Sequence, residues 1–253
     1  MRIIHISDIH LENHGLPIWN TDTKLHFDKA IKKIQTMDNI DAIIISGDLS
    51  NDGSAWSYNY IDNLLAKTNI PTFCCPGNHD NLDIFYGSHK SWFYKNCELF
   101  MLNGWTFIML NSVMAGKSRG NFYPDKFLDL LKHSCGPTVI VLHHPPIEQD
   151  GWLNRKLLEN RDVFNDIIHK YKNIRLVLYG HTHHHEIKTI DGIIYSSASS
   201  IGFAFHPKLL KFQIAHGREG FSLITLNDSN IIIENILISL IPQHFDLTLF
   251  ISS

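Results

Sequence analysis

Five short motifs in this chain combine aspartate, histidine and asparagine in a way that could grip metal ions. They are Asp8-Ile9-His10, Gly47-Asp48, Gly77-Asn78-His79-Asp80, His143-His144-Pro145-Pro146 and Gly180-His181-Thr182-His183. Side chains at i and i+2 of an extended chain point the same way, so Asp8 and His10 could hold one ion, and so could His181 and His183. Gly47 permits a sharp turn that carries Asp48 to a strand tip, where one carboxylate can bridge two cations. Asn78 offers a neutral oxygen, and His143 ends an apolar run. Carboxylates with imidazoles suit Mn²⁺, Fe²⁺ or Zn²⁺ rather than Ca²⁺. The absence of cysteine ligands argues against a closed structural zinc site. A lone Asp-x-His is ordinarily a surface loop and a lone Gly-Asp a turn. Five such motifs in one order, each behind a strand, point to a dinuclear metallohydrolase.

The strands that must carry them read as short continuous apolar runs: Ile3–Ser7, Ala42–Ser46, Thr72–Pro76, Phe107–Asn111, Val139–Leu142 and Leu176–Tyr179. Such runs suit strands covered on both faces. Helical spacing lies between them, at Phe27, Ala30, Ile31 and Ile34, then at Trp56, Tyr60, Leu64 and Leu65. Phe127, Leu130 and Leu131 mark a further helix, and Val163, Phe164, Ile167 and Ile168 another. The last third changes to hairpins. Ile187–Ile190 and Ile193–Ser197 flank Asp191-Gly192, a strong two-residue turn signal. Phe221–Leu226 and Ile231–Ile236 flank 227–230. The pattern predicts an α/β fold, a four-layer α-β-β-α sandwich of two mixed β-sheets flanked by helices.

The chain has 253 residues, 44 % of them hydrophobic and 19 % charged, which fits one globular domain. We expect that domain over 1–236 and an apolar tail of unassigned role over 237–253, which packs on the fold or makes a homodimer contact. A net charge of −3 gives no reason to expect nucleic acid or an anionic membrane as partner. No run approaches the roughly 20 apolar residues of a membrane helix. The N-terminus lacks a signal-peptide pattern. Cys74, Cys75, Cys97 and Cys135 form no CxxC pair and read as reduced thiols of a cytoplasmic protein.

The order of the motifs resembles that of the calcineurin-like metallophosphoesterases. It is similar in particular to the bacterial class III cyclic-nucleotide phosphodiesterases. The likeness runs from about Arg2 to Ile236. Beyond the metal motifs it rests on Leu142-His143-His144-Pro145-Pro146, Asp150-Gly151-Trp152-Leu153, Leu158-Glu159-Asn160, Ser199, Phe205-His206-Pro207 and Gly220-Phe221. His206 departs from the pattern, standing where that family has lysine. The resemblance implies two divalent metal ions (Mn²⁺, Fe²⁺/Fe³⁺ or Zn²⁺). Asp8, His10 and His183 would hold the first and Asn78, His143 and His181 the second, with Asp48 bridging. His143 rather than His144 is the ligand by family spacing, and His144 stands behind it.

The same resemblance implies hydrolysis of a small phosphodiester, foremost cyclic 3′,5′-AMP, by in-line attack of a metal-bridging hydroxide. His79 would assist the leaving group and Asp80 would orient His79. The metal motifs read phosphate and not its substituents. A glycerophosphodiester, a nucleoside-diphosphate-linked lipid and a phosphomonoester therefore stay open as substrates. A non-catalytic scaffold and a nuclease are further alternatives. Asn51, Asp52, Asn111, Trp152 and Asn154 could contact substrate or merely cap their loops. His184 and His185 extend the last motif without being expected as ligands. His26, His89, His133, His169 and His216 read as surface or satisfied polar residues.

Overall fold

A computed structural model describes residues 1–87, 93–227 and 230–238. His89, the middle of the 227–230 turn and all but the first two residues of the expected tail lie outside the described residues.

The apolar runs form the strands they predict. In chain order the strands are β1 (Arg2–Ile6), β2 (Ala42–Ser46), β3 (Thr72–Cys75), β4 (Leu99–Leu102), β5 (Trp105–Met109), β6 (Thr138–Leu142), β7 (Ile174–Tyr179), β8 (Glu186–Ile190), β9 (Ile193–Ser197), β10 (Gly220–Leu226) and β11 (Ile231–Leu237). The helices are α1 (Thr23–Gln35), α2 (Ala55–Ala66), α3 (Leu82–Phe85), α4 (Pro124–Lys132) and α5 (Arg161–Ile168). Strands β2, β5 and β6 are buried at every residue, as continuous apolar runs require when both faces are covered. Helix starts follow local chemistry. Asp22 caps α1 by accepting from the Leu25 amide at 2.8 Å, and Ser54 caps α2.

Two mixed sheets result, ordered β11-β10-β1-β2-β3 and β4-β5-β6-β7-β9-β8. Pairs β1–β2–β3 and β5–β6–β7–β9 are parallel, and antiparallel strands complete the edges. Side chains alternate across each strand, so Ile3 and Ile44 of one sheet pack against Phe107, Val139 and Leu178 of the other, while Ile4, Ile43 and Ile45 turn out to meet Phe27, Ile31 and Ile61 of α1 and α2. On the far side Ile140 and Val177 meet Phe127 and Phe164 of α4 and α5. These clusters are the helix–sheet, sheet–sheet and sheet–helix seams of the expected four-layer sandwich.

Two elements escape the sequence pattern. Strand β4 pairs with β5 across Asn103-Gly104, and α3 is a single turn capped by Asn81. The C-terminal ends of the parallel strands β1, β2, β3, β6 and β7 point to one end of the sandwich, and each of the five polar motifs sits there. Open α/β sheets bind ligands in that place.

Candidate metal centre

The loops after β1, β2, β6 and β7 are laced together by their backbones. The Asp8 amide donates to Gly47 O at 3.1 Å, His10 N to Asp48 O at 3.0 Å, and Gly180 N to His143 O at 3.0 Å. The His181 amide donates to the Asp8 carboxylate at 3.0 and 3.1 Å. The two sheets are thereby tied at their tips. A side chain at Gly47 could not exist in this lacing. Its Cβ would stand 2.7 Å from both the Gly77 amide nitrogen and the His143 ring, and its φ is +94°.

The expected extended geometry at the Asp-x-His and His-x-His pairs is not what the chain adopts. Asp8, His10, His181 and His183 have φ of 54°, 47°, 68° and 52°, and Asp48 has 52°. Each stands in the left-handed region, which L side chains other than Asn and Asp seldom occupy. The members of each pair still reach one spot, but through tight turns and not through strand alternation. Left-handed residues clustered in one site store strain that the packed sheets around them must hold.

All seven expected ligands are brought together. One donor atom from each of Asp8, His10 and His183 lies within 4.8 Å of the others, and the same holds for Asp8, Asp48 and His143. His143 Nε2 stands 3.2 Å from Asn78 Oδ1, 3.2 Å from His181 Nδ1 and 3.2 Å from Asp48 Oδ2. His183 Nε2 stands 3.3 Å from Asp8 Oδ1, and His10 Nε2 3.4 Å from Asp48 Oδ2. Asp48 thus faces both groups.

Proton placement makes this convergence informative. His143 Nδ1–H donates to Ser46 O at 2.8 Å and His183 Nδ1–H donates to Phe203 O at 2.6 Å. Each ring therefore turns Nε2 to the cluster. Backbone carbonyls that fix the tautomer in this way are the usual support of metal-bound histidines. Imidazole nitrogens then face one another and carboxylate oxygens, an arrangement that cations satisfy.

The electrostatics agree. Burial lowers the pKa of His10 to about 3 and holds His181 and His183 well below the ordinary histidine value, so these rings stay neutral, each with one N–H and one free nitrogen. Burial opposes ionisation of Asp48, yet the His143 and His10 imidazoles outweigh it and hold the carboxyl well below its usual range. Burial likewise opposes protonation of His143, but Asp48 outweighs it and raises the pKa to about 9.

The remaining expected residues divide. His79 is exposed at the edge of the cluster, its ring 4.8 Å from that of His10. Its amide donates to Asp48 Oδ1 at 2.9 Å and its Nδ1 meets Asn51 O at 3.1 Å. Asp80 does not orient it. The Asp80 carboxylate accepts instead from the amides of Leu49 (3.1 Å), Ser50 (3.1 Å) and Gly77 (2.8 Å) and from Tyr58 Oη (2.9 Å), which locks the β2 and β3 loops together. His144 is fully buried behind His143, with Nδ1 2.9 Å from Ser112 Oγ.

Asp52, Asn111 and Asn154 cap their own loops through Ser54 N, Val113 N and Gln149 N. His184 and His185 hold backbone carbonyls of Thr182 and Ser197. His26 is buried, with Nδ1 on Gly202 O at 2.7 Å.

A cleft of about 500 Å³ opens beside the cluster, lined by His10, Asp48, Asn78, His79, His181 and His183. The same cleft is also lined by five aromatic rings, Trp19, Trp152, Phe203, Phe205 and Phe212. The Phe205 ring stacks on His183 at 4.1 Å, and Phe212 contacts both Trp19 (4.8 Å) and Trp152 (5.7 Å) edge-on. Sequence reasoning found Trp152 but missed Trp19, Phe203 and Phe212, because nothing local marks them.

The family model of the calcineurin-like phosphoesterases matches residues 1–185. The chain belongs to that family. It is accordingly a metal-dependent phosphoester hydrolase of the calcineurin-like type, a family that works with a dinuclear divalent metal centre. A 3′,5′-cyclic-nucleotide phosphodiesterase of Nostoc sp. is 28 % identical, over 88 % of this chain and 87 % of its own length. A probable cyclic nucleotide phosphodiesterase of Vesicomyosocius okutanii is 30 % identical, over 90 % and 94 %. The 3′,5′-cyclic adenosine monophosphate phosphodiesterase of Haemophilus influenzae is 26 % identical, over 90 % and 86 %. A dimetal phosphatase from Danio rerio superposes with a TM-score of 0.67 at 11 % identity, covering 94 % of this chain and 98 % of its own, and so shares the fold. Among the described residues no helix is long and apolar enough to cross a membrane.

Proposed function

We propose that this calcineurin-like phosphoesterase hydrolyses a small nucleotide phosphodiester, foremost cyclic 3′,5′-AMP. The observation that carries this reading is the aromatic lining that shares one cleft with the metal-ligand cluster. Flat apolar rings suit a nucleobase, whereas a glycerophosphodiester offers nothing to stack on them. The cyclic-nucleotide names of the relatives support the same substrate class.

In this reading Asp8, His10 and His183 would hold one divalent cation and Asn78, His143 and His181 a second, with Asp48 shared. Such ions supply Lewis acidity that activates water and neutralises charge on the phosphoryl oxygens. The protein's own residues do the rest. The Ser46 and Phe203 carbonyls keep His143 and His183 in the tautomer that leaves Nε2 free. The His79 amide restrains Asp48 Oδ1. With Nδ1–H on the Asn51 carbonyl, the imidazolium form of His79 would carry its second proton on Nε2 and hand it to the departing 3′ oxygen as the P–O3′ bond breaks and a water oxygen joins phosphorus. The product is then 5′-AMP. Asp80 acts at one remove, by fixing the loops that carry Asp48 and His79.

The test is the ratio of kcat/KM for cyclic 3′,5′-AMP over glycerophosphocholine on the Mn²⁺-loaded protein. We expect the nucleotide to lead, and the lead to shrink in Phe205→Ala through a higher KM. Equal efficiencies, or a lead for the glycerophosphodiester, would overturn the substrate assignment.

A further inference from the structure

The aromatic wall is not the end of the cleft. A second cavity of about 500 Å³ adjoins it, sharing Trp152, Lys156 and Phe212 and adding Arg155, Leu210 and Lys211. Asp48, at the metal end, is the sole carboxylate that lines either cavity. Three cationic side chains therefore converge beside the cleft in a chain whose net charge is −3. Among the described residues Arg155, Lys156 and Lys211 make no ion pair.

Local structure fixes the spot. Residues Gly151–Arg155 form a 3-10 turn, and the Trp152 amide donates to Leu209 O at 3.0 Å. Arg155 Nη2 donates to Leu210 O at 3.3 Å, which ties the turn to the loop that carries Lys211 and Phe212. Lys156 donates to Ser118 Oγ and reaches both cavities. The Trp152 indole N–H on the shared wall is buried without a hydrogen-bond partner. Three cations without a carboxylate partner around one hollow call for an anion.

We propose that this basic cavity is an anion subsite for a second phosphate group on a nucleotide, held away from the metal-bound one. The inference rests on the nucleotide reading above and extends it from a cyclic mononucleotide to nucleoside bisphosphates and dinucleotides. Cyclic 3′,5′-AMP carries no second phosphate and would leave the subsite unfilled. The aromatic wall between the two cavities holds the nucleoside, and the two phosphates reach out on either side of it.

Calorimetric titration of the full-length, Mn²⁺-loaded protein tests this with 5′-AMP and adenosine 3′,5′-bisphosphate. We expect the bisphosphate to bind at least ~10-fold more tightly, and that preference to shrink as salt rises from about 0.05 M to about 0.5 M. In Arg155→Glu/Lys211→Glu the preference should disappear, and Lys211→Gln, which removes one exposed charge, should halve it or more. Equal binding of the two nucleotides, or a preference that survives both variants, overturns the subsite while the nucleotide reading stands. If neither nucleotide binds, the nucleotide reading fails and the subsite falls with it.

Discussion

His10 and His183 face each other nitrogen to nitrogen, their Nε2 atoms 3.1 Å apart. His183 cannot donate across that gap, because its single neutral proton is held on Nδ1 by the Phe203 carbonyl. Burial keeps His10 neutral as well. Asp8 Oδ1 closes the same spot at 3.3 Å. His183 Nε2 and Asp8 Oδ1 thus converge with His10 Nε2 where a cation belongs, and the following expectations come from that arrangement and its counterpart around His143.

Elemental analysis of the purified protein should find two divalent ions per chain, and Asp48→Ala should hold one or none. Stripping the metal should lower Tm and restoring Mn²⁺ or Zn²⁺ should raise it, since a ligand bound only by the folded chain stabilises by mass action. A variant lacking Asp48 that still retains both ions would contradict the bridging role.

His79→Ala should leave metal content unchanged and lower kcat by ~10²- to 10⁴-fold, the usual range for a lost general acid. Its ring is exposed at the cleft edge, near His10 and Asp48, but it is not one of the seven expected ligands, so turnover and metal loss should separate. Parallel loss of ions and activity would make His79 part of the metal support instead.

Asp80→Ala should act on the fold. It strips one carboxylate from three buried amides and the Tyr58 hydroxyl. Unsatisfied buried donors cost ~1–3 kcal/mol apiece, so urea denaturation should show a loss of about 3 kcal/mol or more. A variant of unchanged stability but lost turnover would move Asp80 back into the chemistry.

His5 sets a pH limit away from the metal ligands. It is fully buried, its Nε2 2.8 Å from Ser46 Oγ, and burial lowers its pKa to about 3. The unfolded chain takes up this proton near pH 6.5 and the folded chain does not. Stability from this group is therefore intact above about pH 6.5 and drains away as pH falls towards 3. Linkage gives a loss of about 2 kcal/mol between pH 6.5 and pH 5. Chemical denaturation across that range should show a shallower slope in His5→Gln than in the parent protein. Identical slopes would mean that His5 becomes protonated without unfolding.

The sequence carried the strands, the four layers and the seven converging side chains, because each rests on a local pattern. Ile43, Ile44 and Ile45 announce a strand buried on both faces wherever it lies. Asp191-Gly192 announces its hairpin, and its φ values of 49° and 82° fit the turn that dipeptide favours. Asn103-Gly104 carried the same signal, but the half-buried β4 before it lacks a clean apolar alternation, so the hairpin went unread. The pairing of Asp8 with His10 was legible while its geometry was not. Strand alternation is the default for i, i+2, and only the backbone lacing to Gly47 and Asp48 imposes the left-handed turns. The role expected for Asp80 failed for a related reason, since adjacency to His79 in sequence says nothing of the amides waiting across the fold. The aromatic wall was the least legible part. Trp19, Trp152 and the pair Phe203 and Phe212 come from three separate connections, and only the packed sheets bring them into one cleft.

The most direct measurement is hydrolysis of cyclic 3′,5′-AMP by the purified chain with Mn²⁺, followed by chromatography of the product. Metal-free protein and Asp48→Ala should be run beside it. The expected result is 5′-AMP formed by the metal-loaded parent protein alone, with turnover down at least ~10³-fold in Asp48→Ala. Undiminished turnover in the metal-free protein or in Asp48→Ala would contradict a dinuclear centre built on these residues. The absence of 5′-AMP with Mn²⁺, Fe²⁺ and Zn²⁺ alike would contradict the cyclic-nucleotide assignment.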